Sequence, residues 1–292
     1  MNAVWKLTWK ELLRKKVTLM TVLLTLLFLG AFWFVSGSFA VEQQPINDMS
    51  NFYEVIGRFQ SGSVILSLGF FFAAFAVAFL SIFSSVSAVG GEAEQGVLQS
   101  VLARPLPRWR YYLGRWFGFT AFGLLYALLL FAVIIWIAYL RTGLQIPFDI
   151  LFLSYLLFAS PIPLLVSMTM LGSCWLSTLG NGIAMTMLFS LGWLGNMIEK
   201  VKDVGIIKPE GIATLEVITG LIRLIMPADS LQQRMLAELF SMKEFGGLVG
   251  HGGILSLFMV SSPSSNAFLI YAAVFTVVFI LAGLLSIHKK DF

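Results

Sequence analysis

The sequence predicts an all-α integral membrane protein with six transmembrane helices, and three observations support this prediction. Of the 292 residues, 58% are hydrophobic and only 12% are charged. The mean hydropathy is +0.89. A soluble domain carries about 25% charged residues, so this chain lacks the polar surface that a water-exposed globule needs. Long uncharged runs, each of at least ~20 residues, divide the chain into segments that match the thickness of a bilayer.

Uncharged runs locate the predicted helices, because a charge at the bilayer centre costs several kcal/mol unless it is paired or hydrated. The run at 150–198 is too long for one helix, which would extend ~75 Å against a hydrocarbon core of ~30 Å. It must fold back, and glycine, serine and asparagine residues place the turn within 172–182. We therefore divide the single transmembrane domain of residues 1–292 into an interfacial helix (1–16), TM1 (17–39), TM2 (62–87), a cytoplasmic loop (90–108), TM3 (116–140), TM4 (150–171), TM5 (176–198), an external segment (199–265), TM6 (266–287) and a cytoplasmic tail (288–292).

Lysine and arginine residues predict the orientation, since they are enriched in the cytoplasmic loops of membrane proteins. The N-terminal segment, the loop before TM3 and the tail carry five, four and two of them, eleven in all, whereas the opposite short loops carry only Arg58 and Arg141. Both termini are therefore predicted to be cytoplasmic, in a multi-pass protein of the cell membrane. One alternative is that the first span is a cleavable signal peptide ending at 38–40, but its apolar stretch exceeds the usual ~15 residues of such peptides.

Two segments outside the predicted spans carry helix patterns. In 1–16, tryptophan and leucine fall on one helical face and basic residues on another, which predicts an interfacial helix at the lipid headgroups; a generic basic topology anchor is the alternative. In the external segment, an apolar stripe over 215–225 predicts one helix. Ser230 with Gln233 predicts a capping box that starts a second helix, which runs to Phe240. These helices either gate a substrate route or cover the outer ends of the spans.

The sequence contains no pattern for catalysis or for a metal site. The single cysteine, Cys174, excludes an internal disulfide, and two histidines leave too few ligands for structural zinc. The P-loop string G-x-x-x-x-G-K-[ST] does not occur. The predicted spans contain no Asp, Glu, His, Lys or Arg residue, which argues against an ion-coupled carrier or an intramembrane enzyme. We therefore expect no cofactor in this chain and no binding of nucleic acid.

The polar residues within the predicted spans are hydroxyls and amides. Ser160, Pro161 and Pro163 form a break in TM4 that frees backbone carbonyl groups and predicts a kink beside a cavity. Together with Asn181, these residues are candidates for lining a substrate pathway. The alternative role for small and polar residues within spans is close helix packing.

The loop between TM2 and TM3 carries the most specific pattern. Glu92 and Glu94 lie at the start of a short predicted helix, where carboxylates interact favourably with the helix dipole, and Pro105 ends it. The helix has an apolar stripe made of Val97, Leu98, Val101 and Leu102. A short helix with an acidic end and an apolar face, held at the membrane surface, predicts a docking element. An amphipathic loop resting on lipid headgroups is the alternative.

The residues of this loop resemble a family signature. The order Glu92-x-Glu94-x-Gly96-x-Leu98, then Pro105, Arg108, Leu113-Gly114-Arg115 and Gly118, is similar to E-x-E-x-G-T-L…P-[VI]-S-R…G-K of the ABC-2 type transporter permeases. The resemblance is closest to the branch that includes the nitrous-oxide reductase maturation permease. Further matches are Lys10-Glu11-Leu12 and Lys290-Asp291-Phe292, whereas Val97, Pro107 and Arg115 replace the usual threonine, serine and lysine.

The resemblance implies a fold similar to type V exporters and the role of a permease subunit that is not itself an enzyme. Two such chains, expected as a homodimer in membrane lipid, work with two cytoplasmic ATPase subunits that bind ATP and magnesium. The implied function is export or extrusion of a hydrophobic or amphipathic substrate. One alternative is a mechanical component that acts on an external protein through 199–265. The coupling helix that contacts the ATPase is expected to comprise Glu92, Glu94, Gly96, Leu98, Val101, Leu102, Pro105 and Arg108.

Overall fold

The computed structural model describes residues 2–39, 51–91, 107–203, 209–240 and 264–289, and all regular secondary structure within them is helical. Helices suit a bilayer because their backbone polar groups bond within their own segment. The helices are α1 (Asn2–Arg14), α2 (Lys16–Gly37), α3 (Asn51–Ser85), α4 (Arg108–Thr142), α5 (Phe148–Ala159), α6 (Pro161–Trp175), α7 (Thr178–Asp203), α8 (Pro209–Ile225), α9 (Ala228–Leu239) and α10 (Asn266–Lys289).

Five stretches of the described residues are long and apolar enough to cross a membrane. They are Lys16–Gly37, Gly57–Ser85, Arg108–Thr142, Phe148–Trp175 and Asn266–His288, which overlap the predicted TM1, TM2, TM3, TM4 and TM6. The remaining predicted span, TM5, lies in α7. This helix has 26 residues, but glycine and asparagine near its start make it less apolar than the other five. The sixth span therefore stays a prediction.

TM4, predicted over 150–171 with a break at Ser160, Pro161 and Pro163, consists of two helices, α5 and α6. Ser160 separates them, and Pro161 begins α6 at a position where the N–H group that proline lacks is not needed. The helix α6 ends at Trp175, and α7 begins shortly afterwards. The chain therefore turns back inside the stretch 172–182, where the sequence places the turn.

The helices α3 and α4 form the centre of the bundle, and α6 packs against both. Glycines allow close contact: a Cβ atom added to Gly69 would lie 2.8 Å from Ile134, and one added to Gly123 would lie 2.7 Å from Ile162. Small residues favour such packing in lipid, where no hydrophobic effect drives helices together. The helices α2 and α10 lie at the edges and leave many apolar side chains exposed, which suits contact with lipid.

The helix α9 is enclosed by other helices rather than lying on the surface. It packs against α5, α6 and α7, and the Gln232 side chain donates a hydrogen bond of 2.9 Å to the Phe70 carbonyl, near the middle of α3. The predicted capping box is wrong. The helix begins at Ala228 after Pro227, no side chain caps it, and Ser230 is buried in its first turn. The fixed φ of proline suits the start of a helix, which explains why α9 begins before Ser230.

Candidate functional site

The structure describes the two roots of the loop between α3 and α4. The first root comprises residues 84–91, where α3 ends, and the second root comprises residues 107–118, where α4 begins. Of the predicted coupling residues, Arg108 belongs to the second root. The others lie outside the described residues: Glu92, Glu94, Gly96, Leu98, Val101, Leu102 and Pro105. The contacts of the roots determine which helices a movement of the loop reaches.

The first root is fixed through backbone carbonyl groups, which the end of a helix leaves without intrahelical partners. The side-chain amide of Asn181 donates a hydrogen bond of 3.2 Å to the Val86 carbonyl and one of 2.9 Å to the Thr169 carbonyl. The Tyr111 hydroxyl of α4 donates a hydrogen bond of 3.3 Å to the Ala88 carbonyl. Asn181 therefore joins the end of α3 to both α6 and α7.

Gly90 brings the first root against the end of α6. A Cβ atom at this position would lie 2.4 Å from the Ser173 carbonyl oxygen. Because a backbone carbonyl cannot rotate away as a side chain can, this close approach requires glycine. Further along, the indole N–H of Trp175 donates a hydrogen bond of 2.8 Å to the Ser286 hydroxyl of α10. The end of α6 therefore connects the first root to α10.

Arg108, the first residue of α4, binds the end of α10. Its guanidinium group donates hydrogen bonds of 3.4 and 3.2 Å to the carbonyls of Ile287 and His288. A cation at the C-terminal end of a helix interacts favourably with the helix dipole. Nearby, a Cβ atom added to Gly283 would lie 1.9 Å from the Tyr112 hydroxyl oxygen. The second root and α10 are therefore in close contact.

The helix α1 is attached to the second root by an ion pair with a buried arginine, and Lys15, the residue that follows α1, contacts the first root. Arg115 of α4 has no solvent exposure, and its guanidinium group bonds to the Glu11 carboxylate. Lys15 lies 2.8 Å from the other carboxylate oxygen and donates a hydrogen bond of 3.1 Å to the Ser87 hydroxyl of the first root. The Arg115 guanidinium also lies 5.1 Å from the centre of the Phe119 ring, which is a cation–π contact.

Glu11 is held in its ionised form. Burial alone would raise the pKa of its carboxyl group, but the hydrogen bond and charge of Arg115, together with Lys15, lower the pKa below its ordinary value. A buried guanidinium is stable only with a counter-charge, so the ionised Glu11 allows Arg115 to lie inside the protein. Beside this pair, a Cβ atom added to Gly118 would lie 2.8 Å from the Thr8 methyl group. Packing and charge together therefore hold α1 on α4.

The roots connect α1, α6, α7 and α10 at one end of the bundle. Within the described residues, no group of three or more His, Cys, Asp or Glu side chains is placed to hold a metal ion. These contacts fix both ends of the loop to the neighbouring helices. A displacement of the loop would move its roots and, through their hydrogen bonds, the helices bound to them.

The class of the protein follows from a comparison with protein families. The family model described as ABC-2 type transporter matches residues 1–195. The chain belongs to the ABC-2 type transporter family. The matched region runs from α1 into α7 and includes both roots of the permease. It does not separate the branches of the family, so the nitrous-oxide branch stays a prediction. A comparison with curated proteins gives no match.

The family assigns the permease its general role. ABC-2 type proteins are the membrane permease components of ATP-binding cassette transporters, and they typically pair with ATPase subunits. The matched domain is a permease component and not itself the ATPase. Together with the five candidate spans, the family makes the protein a multi-pass membrane protein with a role in transport. The resemblance of the loop motif to this family is therefore confirmed.

The predicted pathway residues of the permease do not form one cluster. Ser160 lies at the break between α5 and α6, where its hydroxyl bonds back to the last turn of α5. Pro161 lines a small, mainly apolar cavity together with residues of α3 and α9, and the Pro163 carbonyl accepts a hydroxyl from the next turn. Asn181 lies near the opposite end of α6, at the first root. The structure therefore separates Asn181 from the other three.

A line of aromatic rings on α3 was not predicted. We call it the aromatic ladder, and it consists of Phe71, Phe75, Phe79 and Phe83 on α3 with Phe189 and Trp193 on α7. Neighbouring ring centres along α3 are 5.5, 6.3 and 6.1 Å apart. The two α7 rings lie 5.5 and 5.7 Å from Phe75, at distances typical of interacting rings. The four-residue spacing on α3 is the sequence signal for this feature.

The Glu11–Arg115 pair was also not predicted. Both residues belong to motifs that match the family, but no local pattern pairs them. Two features of the sequence point to the pair: Glu11 is an acidic residue within a basic segment, and Arg115 is an arginine at the start of an apolar run. Each of these needs an opposite charge when it is buried.

Proposed function

We propose that this permease couples ATP hydrolysis, carried out by two separate cytoplasmic ATPase subunits, to the export or extrusion of a hydrophobic or amphipathic substrate. The observation that carries this proposal is the attachment of both loop roots to α1, α6, α7 and α10. A loop whose ends are fixed to several helices transmits a displacement, whereas a loosely attached loop absorbs it. ATP and magnesium bind to the ATPase pair, and the permease supplies no catalytic residue.

The docking element in this proposal is the short helix that the sequence predicts for the loop. Glu92 and Glu94 pair with basic groups of the ATPase, while Leu98 and Leu102 enter an apolar pocket on its surface. In protein interfaces a few buried apolar side chains supply most of the affinity, and charges at the rim favour the correct partner and orientation. Arg108, which is bonded to the end of α10, passes the movement to that helix.

In this arrangement both termini and the loop lie in the cytoplasm, and α7 is the sixth span. The distribution of basic residues supports this orientation, because lysine and arginine are enriched on the cytoplasmic side of membrane proteins, and exposed tryptophans suit a headgroup region. The loop end of the bundle exposes the side chains of Trp5, Lys10, Arg14, Lys16, Trp109 and Arg110. A second copy of the permease completes the transporter as a homodimer.

The aromatic ladder supports the proposed substrate class. Its four rings on α3 are only partly buried, and they run from the middle of α3 towards the first root. Partly exposed aromatic rings bind apolar groups and, through their faces, cations. Over 59–85, α3 has no charged residue that would pair with an ionic solute. We therefore assign the ladder to the substrate route.

Co-purification with a tagged permease tests the docking proposal. We expect the wild-type permease to bring a P-loop ATPase with it and to stimulate ATP hydrolysis. Glu92→Lys combined with Glu94→Lys should lower both by at least about tenfold, because each reversed charge at an interface costs more than about 1 kcal/mol. Asp149→Lys is the matched control, since this exposed acid lies at the opposite end of the bundle and its reversal should change neither quantity.

Unchanged co-purification and unchanged stimulated hydrolysis in the double variant would contradict the docking role. ATPase binding and stimulated hydrolysis with no movement of any hydrophobic probe would instead support the mechanical alternative, in which the permease acts on an external protein.

A further inference from the structure

Four charged side chains meet where α7, α8 and α9 approach one another. We call them the charge cluster: Glu199 and Lys200 on α7, Arg223 on α8, and Asp229 on α9. Lys200 and Asp229 are only 4% and 9% exposed. Arg223 is ion-paired with Glu199 and also acts on Asp229 through its charge. Because a buried ion costs several kcal/mol, the cluster influences how these helices fit together.

Of the other helices around α9, α5 carries the exposed Asp149 in its first turn and α3 carries Arg58. The helices α5 and α6 have no charged residue over 150–175, and α3 has none over 59–85. Among the described side chains, α7 presents the two cluster members named above, and α8 presents Arg223 and Glu216. The carboxyl group of Asp229 is therefore surrounded by apolar stretches of helix on one side and by the rest of the cluster on the other.

A cavity of about 210 Å³ lies beside the cluster, between α7 and α8. Its wall includes Glu199, Glu216, Thr219 and Arg223. A space of this size holds several water molecules. The cavity therefore gives water a route to Glu199 and Arg223, the cluster members on its wall, while Lys200 and Asp229 are buried behind them.

The position of α9 depends on contacts on both sides of Asp229. Just before α9, the chain packs on α7, where a Cβ atom added to Gly192 would lie 3.2 Å from the Met226 carbonyl. One turn into α9, Gln232 bonds to the Phe70 carbonyl of α3. Asp229 lies between these two contacts, in the first turn of the helix. Its charge state therefore affects how stably α9 docks.

We propose that Asp229 is a proton-binding site that controls the docking of α9 among the spans: proton uptake holds the helix in place, and proton release loosens it. A neutral carboxyl group is buried at much lower cost than a carboxylate. The positive charges of Lys200 and Arg223 offset only part of the cost of burying the Asp229 carboxylate. The permease thereby responds to the pH of the medium that the cavity faces.

The sign of the effect follows from proton linkage. Burial raises the pKa of Asp229 to about 7, and the charges of Lys200 and Arg223 lower it by less. A carboxyl group whose pKa is higher in the docked state takes up a proton on docking, so docking weakens as the pH rises from 3.8, the ordinary pKa, to about 7.

Amide hydrogen exchange of the full chain in lipid nanodiscs tests the proposal at about pH 5 and about pH 7, after each rate is divided by the intrinsic rate at that pH. From pKa values of 3.8 and about 7, the opening equilibrium of α9 should be on the order of 50-fold less favourable at the lower pH. Asp229→Asn keeps the shape but cannot ionise, so its α9 should stay protected at both pH values. Glu238→Gln neutralises an acid on the more exposed side of the same helix and should keep the wild-type response.

Lys200→Met provides a second test that does not depend on the Asp229 variant. Removing a cation that lowers the pKa of Asp229 should move the midpoint of the wild-type response to higher pH. Protection of wild-type α9 that is constant with pH, or that falls on acidification, would overturn the proposal. A wild-type pH response in Asp229→Asn, or an unmoved midpoint in Lys200→Met, would also overturn it.

Discussion

Replacing Glu11 by glutamine should destabilise the permease more than replacing Arg115 by methionine, although the two residues form one ion pair. Glu11→Gln leaves the Arg115 guanidinium inside the protein, at 0% exposure, without this carboxylate. Arg115→Met removes the buried charge itself. It leaves the Glu11 side chain 31% exposed and 2.8 Å from Lys15. The order of the two effects follows from which of the two charges lies deeper.

The size of each effect follows from the same exposures. Breaking a buried pair so that a buried charge remains costs about 3–5 kcal/mol. We expect the lower end, about 3 kcal/mol, for Glu11→Gln, because the carboxylate is partly exposed and the Phe119 ring stays beside the guanidinium. For Arg115→Met we expect about 1 kcal/mol, because methionine fills much of the space and the remaining carboxylate reaches water and Lys15.

Unfolding of the purified permease in detergent, followed by tryptophan fluorescence, measures these free energies. The double variant completes a thermodynamic cycle. Without the guanidinium, Glu11→Gln has little left to disturb, so the double variant should resemble Arg115→Met and show a coupling of about 3 kcal/mol. Arg14→Met changes an exposed basic residue of the same helix and should stay within about 0.5 kcal/mol of wild type. Equal costs, the reverse order, or additive costs would refute the assignment of Glu11 as the counter-charge of Arg115.

Two further predictions concern the first root. Gly90→Ala should displace the root, because the new Cβ atom would lie 2.4 Å from a backbone carbonyl, and it should abolish most ATPase stimulation. Gly57→Ala is the control: its new Cβ atom would meet nothing within 4 Å, so this variant should be neutral or slightly stabilising. Wild-type ATPase stimulation in Gly90→Ala would show that the contact between the first root and α6 is dispensable. Asn181→Leu should lower the free energy of unfolding by about 1–3 kcal/mol, because it removes two buried hydrogen bonds, to the carbonyls of Val86 and Thr169. An unchanged denaturation midpoint for Asn181→Leu would contradict this.

Charge and hydropathy along the chain were sufficient to predict most of the membrane helices. A span must be apolar over its whole length, so the signal lies in consecutive residues and needs no knowledge of the fold. Five candidate spans overlap the predicted ones. In α7 the signal is weaker, because Gly180, Asn181 and Gly182 lower its hydropathy. The structure gives Asn181 a reason to be there, since its amide joins the first root to α6.

The enclosed position of α9 could not be predicted from local patterns. The helix contains Asp229, Gln232 and Gln233 in its first two turns, and such polar residues favour a surface helix. In the structure Gln232 and Asp229 meet partners on other helices: the Phe70 carbonyl that Gln232 contacts is 162 residues distant, and Asp229 interacts with the charges of Lys200 and Arg223. Sequence periodicity reports on neighbours three or four positions apart, so it misses contacts of this kind.

The candidate site, like the fold, could be predicted from the sequence only in part. The loop motif predicted the family, because its residues are close together in the sequence, and the family match confirms that prediction. The contacts that fix the loop roots are long-range, and Glu11 and Arg115 are 104 residues apart. Their partnership depends on how α1 packs on α4, which no local pattern specifies.

Transport by purified components tests the coupling proposal most directly. The permease is placed in lipid vesicles with or without its ATPase partner, and the movement of a fluorescent amphipathic probe across the membrane is followed after ATP is added. We predict movement only when the ATPase and ATP are both present, and its loss when Glu92→Lys and Glu94→Lys are combined. Movement by the permease alone, at a rate that neither the ATPase nor ATP changes, would contradict the proposed coupling.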